Sequence, residues 1–228
     1  MKNTTKKFSV SKIILTIIFW AIGITMLVPL VWMISTACKV EADVFNFPIE
    51  WIPKRWNLVQ NMQEVWGGRY NFGLYYINSI KVAVLATFFQ VFVSALGAYG
   101  FSKIQFKGRD ALFLAYLATM MIPPQVTIVS QFIITRQLGL YNTHAGLIAM
   151  LAFSVYGVFL LRQAMMAVPD SLSESAKIDG AGHVRIFFQI ILPMVKPSLA
   201  TLATLKFVWT WNDYQHPLVF LSSRELYT

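Results

Sequence analysis

The chain has 228 residues, of which 57% are hydrophobic and only 13% are charged, and its formal net charge is +9. Soluble domains carry about 25% charged residues, and a single core cannot hide this much apolar surface. The composition therefore excludes an ordinary soluble domain and a disordered chain, and a lone cysteine, Cys38, excludes a disulfide scaffold. A membrane-embedded protein remains.

Five apolar runs are long enough to cross a bilayer as helices, for which about 20 residues are needed. They cover residues 13–34, 82–101, 111–134, 142–161 and 199–221. Lipid offers the backbone no hydrogen-bond partners, and these runs are apolar on all sides instead of alternating, so we predict helices and reject a β-barrel. The expected fold class is an all-α integral membrane protein, with one transmembrane domain over residues 1–228.

The distribution of basic residues favours a cytoplasmic N-terminus. In that orientation eleven Lys and Arg residues lie on the cytoplasmic side and six on the outer side, and cytoplasmic loops near spans hold such an excess. The positive charge is then explained by topology and by contact with anionic membrane lipid. It does not follow the pattern of a nucleic-acid site.

The first run and the outer connection after it each allow two interpretations. The run spans 22 residues, whereas the apolar part of a signal peptide spans about 7 to 15, so we favour a retained helix over a cleaved signal. The connection, residues 35–79, is rich in Trp and Tyr. Such residues are typical of an aromatic belt at the membrane interface, and a surface that contacts a ligand is the alternative.

The third run contains Pro123 and Pro124, which remove backbone donors and predict a kink that serves either gating or packing.

The inner connection, residues 162–198, is too long for a simple turn. Ser171 followed by Glu174 has the spacing of a capping box, which predicts that a short helix starts there. Gly180 suits the left-handed residue that closes such a helix. A second helix is expected over residues 184–192, before Pro193. The spacing alone leaves open whether this hairpin has a function or only joins two spans.

The fifth run contains two ionisable residues, Lys206 and Asp213, with Thr210 between them. Because they are seven residues apart, we expect them to share a helix face that points into the bundle. Trp211 and Asn212 beside them are suited to stack on or hydrogen-bond to a sugar. These five residues are candidates for a translocation path. The alternative is structural, in which Lys206 extends to the interface and Asp213 is paired.

Other chemistry has little support in the sequence. His144, His183 and His216 are far apart, and neither a metal-binding spacing nor a phosphate-binding loop occurs. We therefore predict no metal site and no ATP binding by this chain. A membrane-embedded enzyme and a passive channel are the rival classes, and neither explains the helical hairpin of the inner connection.

The hairpin resembles a known signature. Glu174-Ser175-Ala176, Asp179-Gly180-Ala181 and Leu192-Pro193 are similar to the cytoplasmic loop of permease subunits in binding-protein-dependent ABC importers. That family usually has Glu-Ala-Ala at the first site, so Ser175 departs from it by one hydroxyl. Further motifs resemble the sugar-importing, maltose-type branch, particularly its second permease subunit: Asn78-Ser79, AYGFSK at 98–103, FKGR at 106–109, LGLYNT at 138–143 and Trp211-Asn212-Asp213.

The resemblance implies a permease subunit of an ATP-driven importer of sugars or oligosaccharides, in a bacterial-type cell membrane. It implies three kinds of partner: a second permease, two cytoplasmic ATPase subunits that bind ATP and Mg, and an extracytoplasmic solute-binding protein. This chain would be no enzyme and would hold no cofactor. Its contact with the ATPases would involve Glu174, Ser175, Ala176, Asp179, Gly180, Ala181 and Pro193. The complete family fold has six spans, so the last span is expected to be missing from this sequence.

Overall fold

The structure, a computed structural model, describes residues 10–68 and 71–228. Three of the eleven basic residues assigned to the cytoplasmic side, Lys2, Lys6 and Lys7, and one of the six on the outer side, Arg69, lie outside the described residues. Regular structure in the described part is helical, with a single β-bridge between Lys39 and Trp56. The helices are α1 (Val10–Ala37), α2 (Leu58–Gly67), α3 (Phe72–Lys103), α4 (Arg109–Ala118), α5 (Pro124–Gln137), α6 (His144–Leu151), α7 (Val155–Met166), α8 (Asp170–Ile178), α9 (His183–Ile186), α10 (Leu192–Met194), α11 (Lys196–Trp211) and α12 (Gln215–Phe220).

Two helices, α1 and α3, are each long and apolar enough to cross a bilayer alone, and they contain the first two predicted spans. Helix α3 begins at Phe72, ahead of the predicted start at residue 82. Three bent helix pairs raise the number of candidate spans to as many as five.

Each bent pair departs from the straight helix that the apolar runs suggest. The segments Arg109–Met121 and Pro124–Gln137 meet at 100°, which confirms the predicted kink at Pro123 and Pro124. His144–Leu151 and Val155–Met166 meet at 47°, where the Ser154 hydroxyl accepts the Gly157 N–H and caps α7. His183–Met194 and Lys196–Trp211 meet at 79°. The predicted fifth span, residues 199–221, is divided between α11 and α12.

The chain forms two compact units, residues up to Gly73 and residues from Leu74 onward. In the first unit the outer connection closes the end of α1. The Asn61 amide donates to the carbonyls of Ala37 and Lys39, at 2.9 and 2.8 Å, and so satisfies carbonyls that a helix end leaves unpaired. Arg55 pairs with Asp43 at 2.6 Å, and its hydrogen bond holds the pKa of that carboxyl below its ordinary value.

The second unit contains two buried clusters. One is built from α3, α7 and the segment from α9 to α11, and includes Tyr99, Leu161, Met165, Ile186, Phe187 and Leu202. The other is built mainly from α3, α6 and α12, and includes Val82, Leu147 and Phe220. Helices α3 and α7 meet at small residues: a Cβ on Gly157 would lie 2.4 Å from Ser94 Oγ. Such close backbone contact is typical of membrane helices, because in lipid their association depends on van der Waals packing and not on the hydrophobic effect.

Candidate functional site

The inner connection contains a short helix, α8, over Asp170–Ile178. The capping-box prediction is wrong, because the residue before the helix is Pro169 and Ser171 already lies inside it. With Pro169 at the N-cap position, the residue three positions later is Leu172, which has no carboxylate, so the reciprocal bonds of a capping box cannot form. Proline is well tolerated at a helix start, where the first N–H groups have no intrahelical partner.

The other end of α8 closes as predicted. Gly180 has φ +81°, its N–H donates to the Lys177 carbonyl at 3.0 Å, and the Ala181 N–H donates to the Ala176 carbonyl at 2.9 Å. This pair of bonds is a Schellman motif, which requires a left-handed residue at the position of Gly180. The helix therefore ends at a fixed turn, and the chain reverses into α9.

The predicted coupling residues are divided between two environments. Glu174, Ser175, Asp179 and Gly180 are exposed, whereas Ala176 and Ala181 pack partly buried against the first core cluster. One side of the loop therefore packs against the helix bundle, and the other side is exposed.

Pro193 lies apart from these residues, in α10. Because proline has no N–H and its ring crowds the carbonyl four residues back, a regular α-turn is disfavoured there. The helix widens instead into a π-helical segment, Phe187–Ile191, in which the Leu192 N–H reaches the Phe187 carbonyl.

Three exposed apolar side chains on and beside α8 were not selected from the sequence. Ile178 is 87% exposed, Val184 is 73% exposed and Leu172 is 40% exposed. The signal that could have found them is an apolar residue on each side of the glycine turn, in an otherwise polar stretch.

The translocation-path candidates on the last predicted span do not share one helix face. Helix α11 ends at Trp211, so Asp213 lies beyond it, and the prediction that Lys206 and Asp213 share a face is wrong. The physical reason is that Asp213 serves the next helix. Its carboxylate accepts the His216 N–H at 3.2 Å and lies 2.7 Å from His216 Nδ1.

Lys206 and Thr210 are buried one turn apart on α11. Within residues 10–68 and 71–228, Lys206 forms no hydrogen bond or ion pair, and the Thr210 hydroxyl has no hydrogen-bond partner. Asp213 is thus paired with His216, whereas the buried Lys206 has no hydrogen-bond or ion-pair partner among these residues.

Trp211, Asn212 and Asp213 meet at a cleft of about 470 Å³. Its walls are rich in aromatic side chains: Tyr75, Trp211, Tyr214 and Tyr227. A mostly apolar and aromatic hollow with a few convergent polar groups is typical of sites for small molecules. Tyr75 belongs to the aromatic outer connection, for which a surface that contacts a ligand was the alternative interpretation. Tyr227 was not selected from the sequence, because it meets Tyr75 only in the folded chain.

The segment after α12 is fixed beside the cleft by three polar side chains. The Asn78 amide donates to the Glu225 and Tyr227 carbonyls at 2.8 and 3.0 Å. The His144 Nε2 lies 2.9 Å from the Leu226 carbonyl. The side-chain Oδ1 of Asn142 accepts the Ser223 N–H at 2.9 Å. Asn78 and Asn142 stand in two of the sequence motifs noted above, and these bonds give both a structural role.

The fold and these two regions define a class of protein: a multi-helix membrane component with an exposed helical loop and an aromatic cleft. The family model for "binding-protein-dependent transport system inner membrane component" matches residues 90–227. The chain belongs to this family. The predicted family, the predicted fold class and the prediction of a transport permease component are confirmed.

Individual relatives agree. The probable ABC transporter permease protein YurM of Bacillus subtilis is 34% identical over 207 residues, which cover 88% of this chain and 66% of YurM. The sn-glycerol-3-phosphate transport system permease protein UgpE of Yersinia pestis is 34% identical, over 91% of this chain and 75% of UgpE. The diacetylchitobiose uptake system permease protein NgcG of Streptomyces coelicolor is 30% identical, over 92% of this chain and 68% of NgcG.

The fold is also similar to a solved structure. A chain in the crystal structure of a bacterial ABC transporter involved in the import of the acidic polysaccharide alginate superposes with a TM-score of 0.84 and 25% identity. The similarity covers 97% of this chain and 79% of that chain. The overall helical fold is therefore shared with that chain.

Proposed function

We propose that this chain is one of two membrane subunits that form the translocation path of an ATP-driven ABC importer. The observation that carries the proposal is the loop from Asp170 to Gly182, where a short helix is fixed at its C-terminal turn and exposes Ile178, Glu174 and Asp179. Exposed apolar side chains on a polar loop are typical of a protein interface. We assign this loop the contact with cytoplasmic ATPase subunits.

The mechanism follows from how two states can be biased. An inward-open and an outward-open state change their populations only through a ligand or partner that interacts differently with each. Two ATPase subunits that close on ATP and Mg supply that difference, and this chain must then receive their motion through a contact. A helix of nine residues with a fixed turn is suited to this task, because it moves as one piece.

The second part of the proposal concerns the solute. The relatives and the structural neighbour name glycerol 3-phosphate, diacetylchitobiose and alginate, which are a polyol phosphate, an amino-sugar dimer and an acidic polysaccharide. We propose a sugar, an oligosaccharide or a related polyol as the solute, and we place Trp211, Asn212 and Asp213 at its path. Lys206 and Thr210, which are buried on α11, are the less direct candidates.

Location, orientation and partners complete the proposal. Membership of the family places the chain in the inner membrane as a multi-pass component. The excess of basic residues on the side of the loop supports a cytoplasmic N-terminus. A second permease subunit and an extracytoplasmic solute-binding protein complete the assembly, and ATP and Mg are held by the ATPase subunits and not by this chain.

The test is to purify the tagged protein from its native membranes in a mild detergent. Mass spectrometry of the subunits and a phosphate-release assay are then applied to the same sample. The proposal expects Mg-dependent ATP hydrolysis and stoichiometric amounts of a second permease and an ATPase. Recovery of this chain without any ATPase, from membranes in which it is stably inserted, would contradict the proposal.

A further inference from the structure

Two side chains on α3 reach the two ends of the loop from Asp170 to Gly182. Tyr99 and Lys103 are four residues apart and therefore lie one turn apart on one face of the helix. Both are well covered: Tyr99 is 6% exposed and the Lys103 side chain is 4% exposed. They belong to the motif at 98–103, to which the sequence assigns no role. We refer to Tyr99 and Lys103 as the anchor pair.

Lys103 holds the entry to α8. Its ammonium donates to the Val168 carbonyl at 2.6 Å and to Asp170 Oδ1 at 2.6 Å. Val168 precedes the helix and Asp170 is its first residue. The Lys103 ammonium is buried, whereas the Asp170 side chain is 72% exposed. The two bonds from Lys103 therefore satisfy a buried positive charge on α3.

Tyr99 contacts the chain where it leaves the loop and enters α9. Its hydroxyl lies 3.1 Å from His183 Nδ1, and His183 is the first residue of α9. The Tyr99 ring also packs against Phe187, with ring centroids 5.2 Å apart. The contact with α9 therefore combines one directional polar bond with buried aromatic packing.

The middle of the loop is joined to the bundle mainly by small side chains, Ala176 and Ala181, at the edge of the first core cluster. Such contacts allow sliding, whereas the bonds of the anchor pair fix direction at both ends. These bonds join α8 and α9 directly to α3, which extends as one helix from Lys103 to Phe72 and carries Tyr75 at the aromatic cleft.

We infer that Tyr99 and Lys103 are positioning residues that transmit movement of α8 into α3, and through α3 to the aromatic cleft. This inference rests on the proposed function, because it requires a partner that moves α8. It names where the movement enters the bundle, which the family assignment does not.

The test uses variants that delete a polar atom but keep the shape. Lys103→Met keeps the stem and removes the donors, and Tyr99→Phe removes only the hydroxyl. Lys107→Met and Tyr116→Phe are matched controls. Lys107 is four residues from Lys103, the Tyr116 ring stacks on Phe101, and neither side chain has a hydrogen bond among the described residues. Lys103→Arg is the rescue variant, because guanidinium retains charge and donors.

The readout needs no knowledge of the solute. A reporter cysteine replaces Asn212 at the cleft in a Cys38→Ser background, and its rate of reaction with a maleimide is measured in the purified complex with and without ATP and vanadate. In the parent complex, trapping is expected to change the labelling rate by about five-fold or more, the lower range of allosteric coupling. Lys103→Met and Tyr99→Phe should each reduce that change by at least half, with basal ATP hydrolysis retained.

The outcomes separate the two claims. If ATP and vanadate leave labelling unchanged in the parent complex, the proposed function fails. If the parent responds and both anchor variants respond as strongly as Lys107→Met and Tyr116→Phe, the anchor inference is overturned while the proposed function stands. If Lys103→Met fails to assemble, the labelling test is repeated with Asp170→Asn, which weakens the bond to Lys103 at an exposed side chain that is not needed for packing. A reduced response in Asp170→Asn supports the inference and a full response overturns it.

Discussion

Substitution of Gly180 tests whether the fixed turn after α8 is needed for coupling. Gly180 has φ +81°, and a Cβ added there would meet no atom within 4 Å. A side chain therefore causes no clash within this chain, and its cost comes from the left-handed backbone alone. For a β-branched residue that cost is about 1–3 kcal/mol. The ratio of closed to open turn should then fall about 5- to 150-fold.

Gly180→Val should leave the protein inserted in the membrane and assembled, because Gly180 is exposed and a Cβ there would meet no other atom of this chain within 4 Å. Opening the turn releases the two Schellman bonds and lets α8 change direction. The stimulation of ATP hydrolysis by the solute-loaded binding protein should fall by about the same factor, together with uptake. Both rates are measured on the complex reconstituted in liposomes.

Gly180→Asn is the matched control. Asparagine also adds a side chain at the exposed site, but it tolerates the left-handed conformation far better than valine. Gly180→Asn should therefore retain most of the coupling. Equal loss in Gly180→Val and Gly180→Asn would show that side-chain bulk at the partner surface matters and that the turn conformation does not. Normal coupling in Gly180→Val would refute the reasoning outright.

Three further predictions concern topology, the cleft and the outer connection. In a Cys38-free background, a cysteine at Lys107 should resist an impermeant thiol reagent in sealed cells and one at Glu64 should react. The reverse pattern would overturn the orientation. Asp213→Asn should lower the yield of intact complex in size-exclusion chromatography several-fold, because it weakens the hydrogen bond from the carboxylate to His216, worth about 1.5–3 kcal/mol. Arg224→Gln, at an exposed site, should leave the yield unchanged. Equal yields from the two variants would contradict this prediction. Lys39 is 2% exposed and its ammonium has no hydrogen bond among the described residues. Lys39→Met should therefore keep the melting temperature in detergent, whereas Lys39→Ala should lower it. An equal fall in melting temperature for both variants would show that the contact of the ammonium with the Trp32 ring carries the stability.

The sequence predicts well those features that depend on local chemistry. The apolar runs place α1 and α3, since a bilayer requires about 20 apolar residues in a row. Pro123 and Pro124 predict a bend because they lack donors. Gly180 predicts a left-handed turn because only glycine adopts it without strain.

Features that depend on competition between neighbours were not predictable in the same way. Ser171 has the spacing of a cap, but Pro169 starts the helix earlier. Lys206 and Asp213 have the spacing of one face, but Asp213 caps the following helix and α11 stops before it. The aromatic cleft joins Tyr75 to Tyr227 across most of the second unit, and such long-range pairs leave no periodic signal in one sequence.

The contact between the loop and an ATPase subunit is the central claim, and cysteine cross-linking tests it most directly. A single cysteine is placed at Asp179, in a background without Cys38, and native membranes are treated with a short bifunctional reagent before and after addition of ATP. A matched cysteine at Glu64, which is also exposed, serves as the control. We expect a covalent adduct between the Asp179 position and a subunit that carries an ATP-binding site, and none from the Glu64 position. An ATPase adduct from Glu64 and none from Asp179 would show that the loop is not the contact with the ATPase.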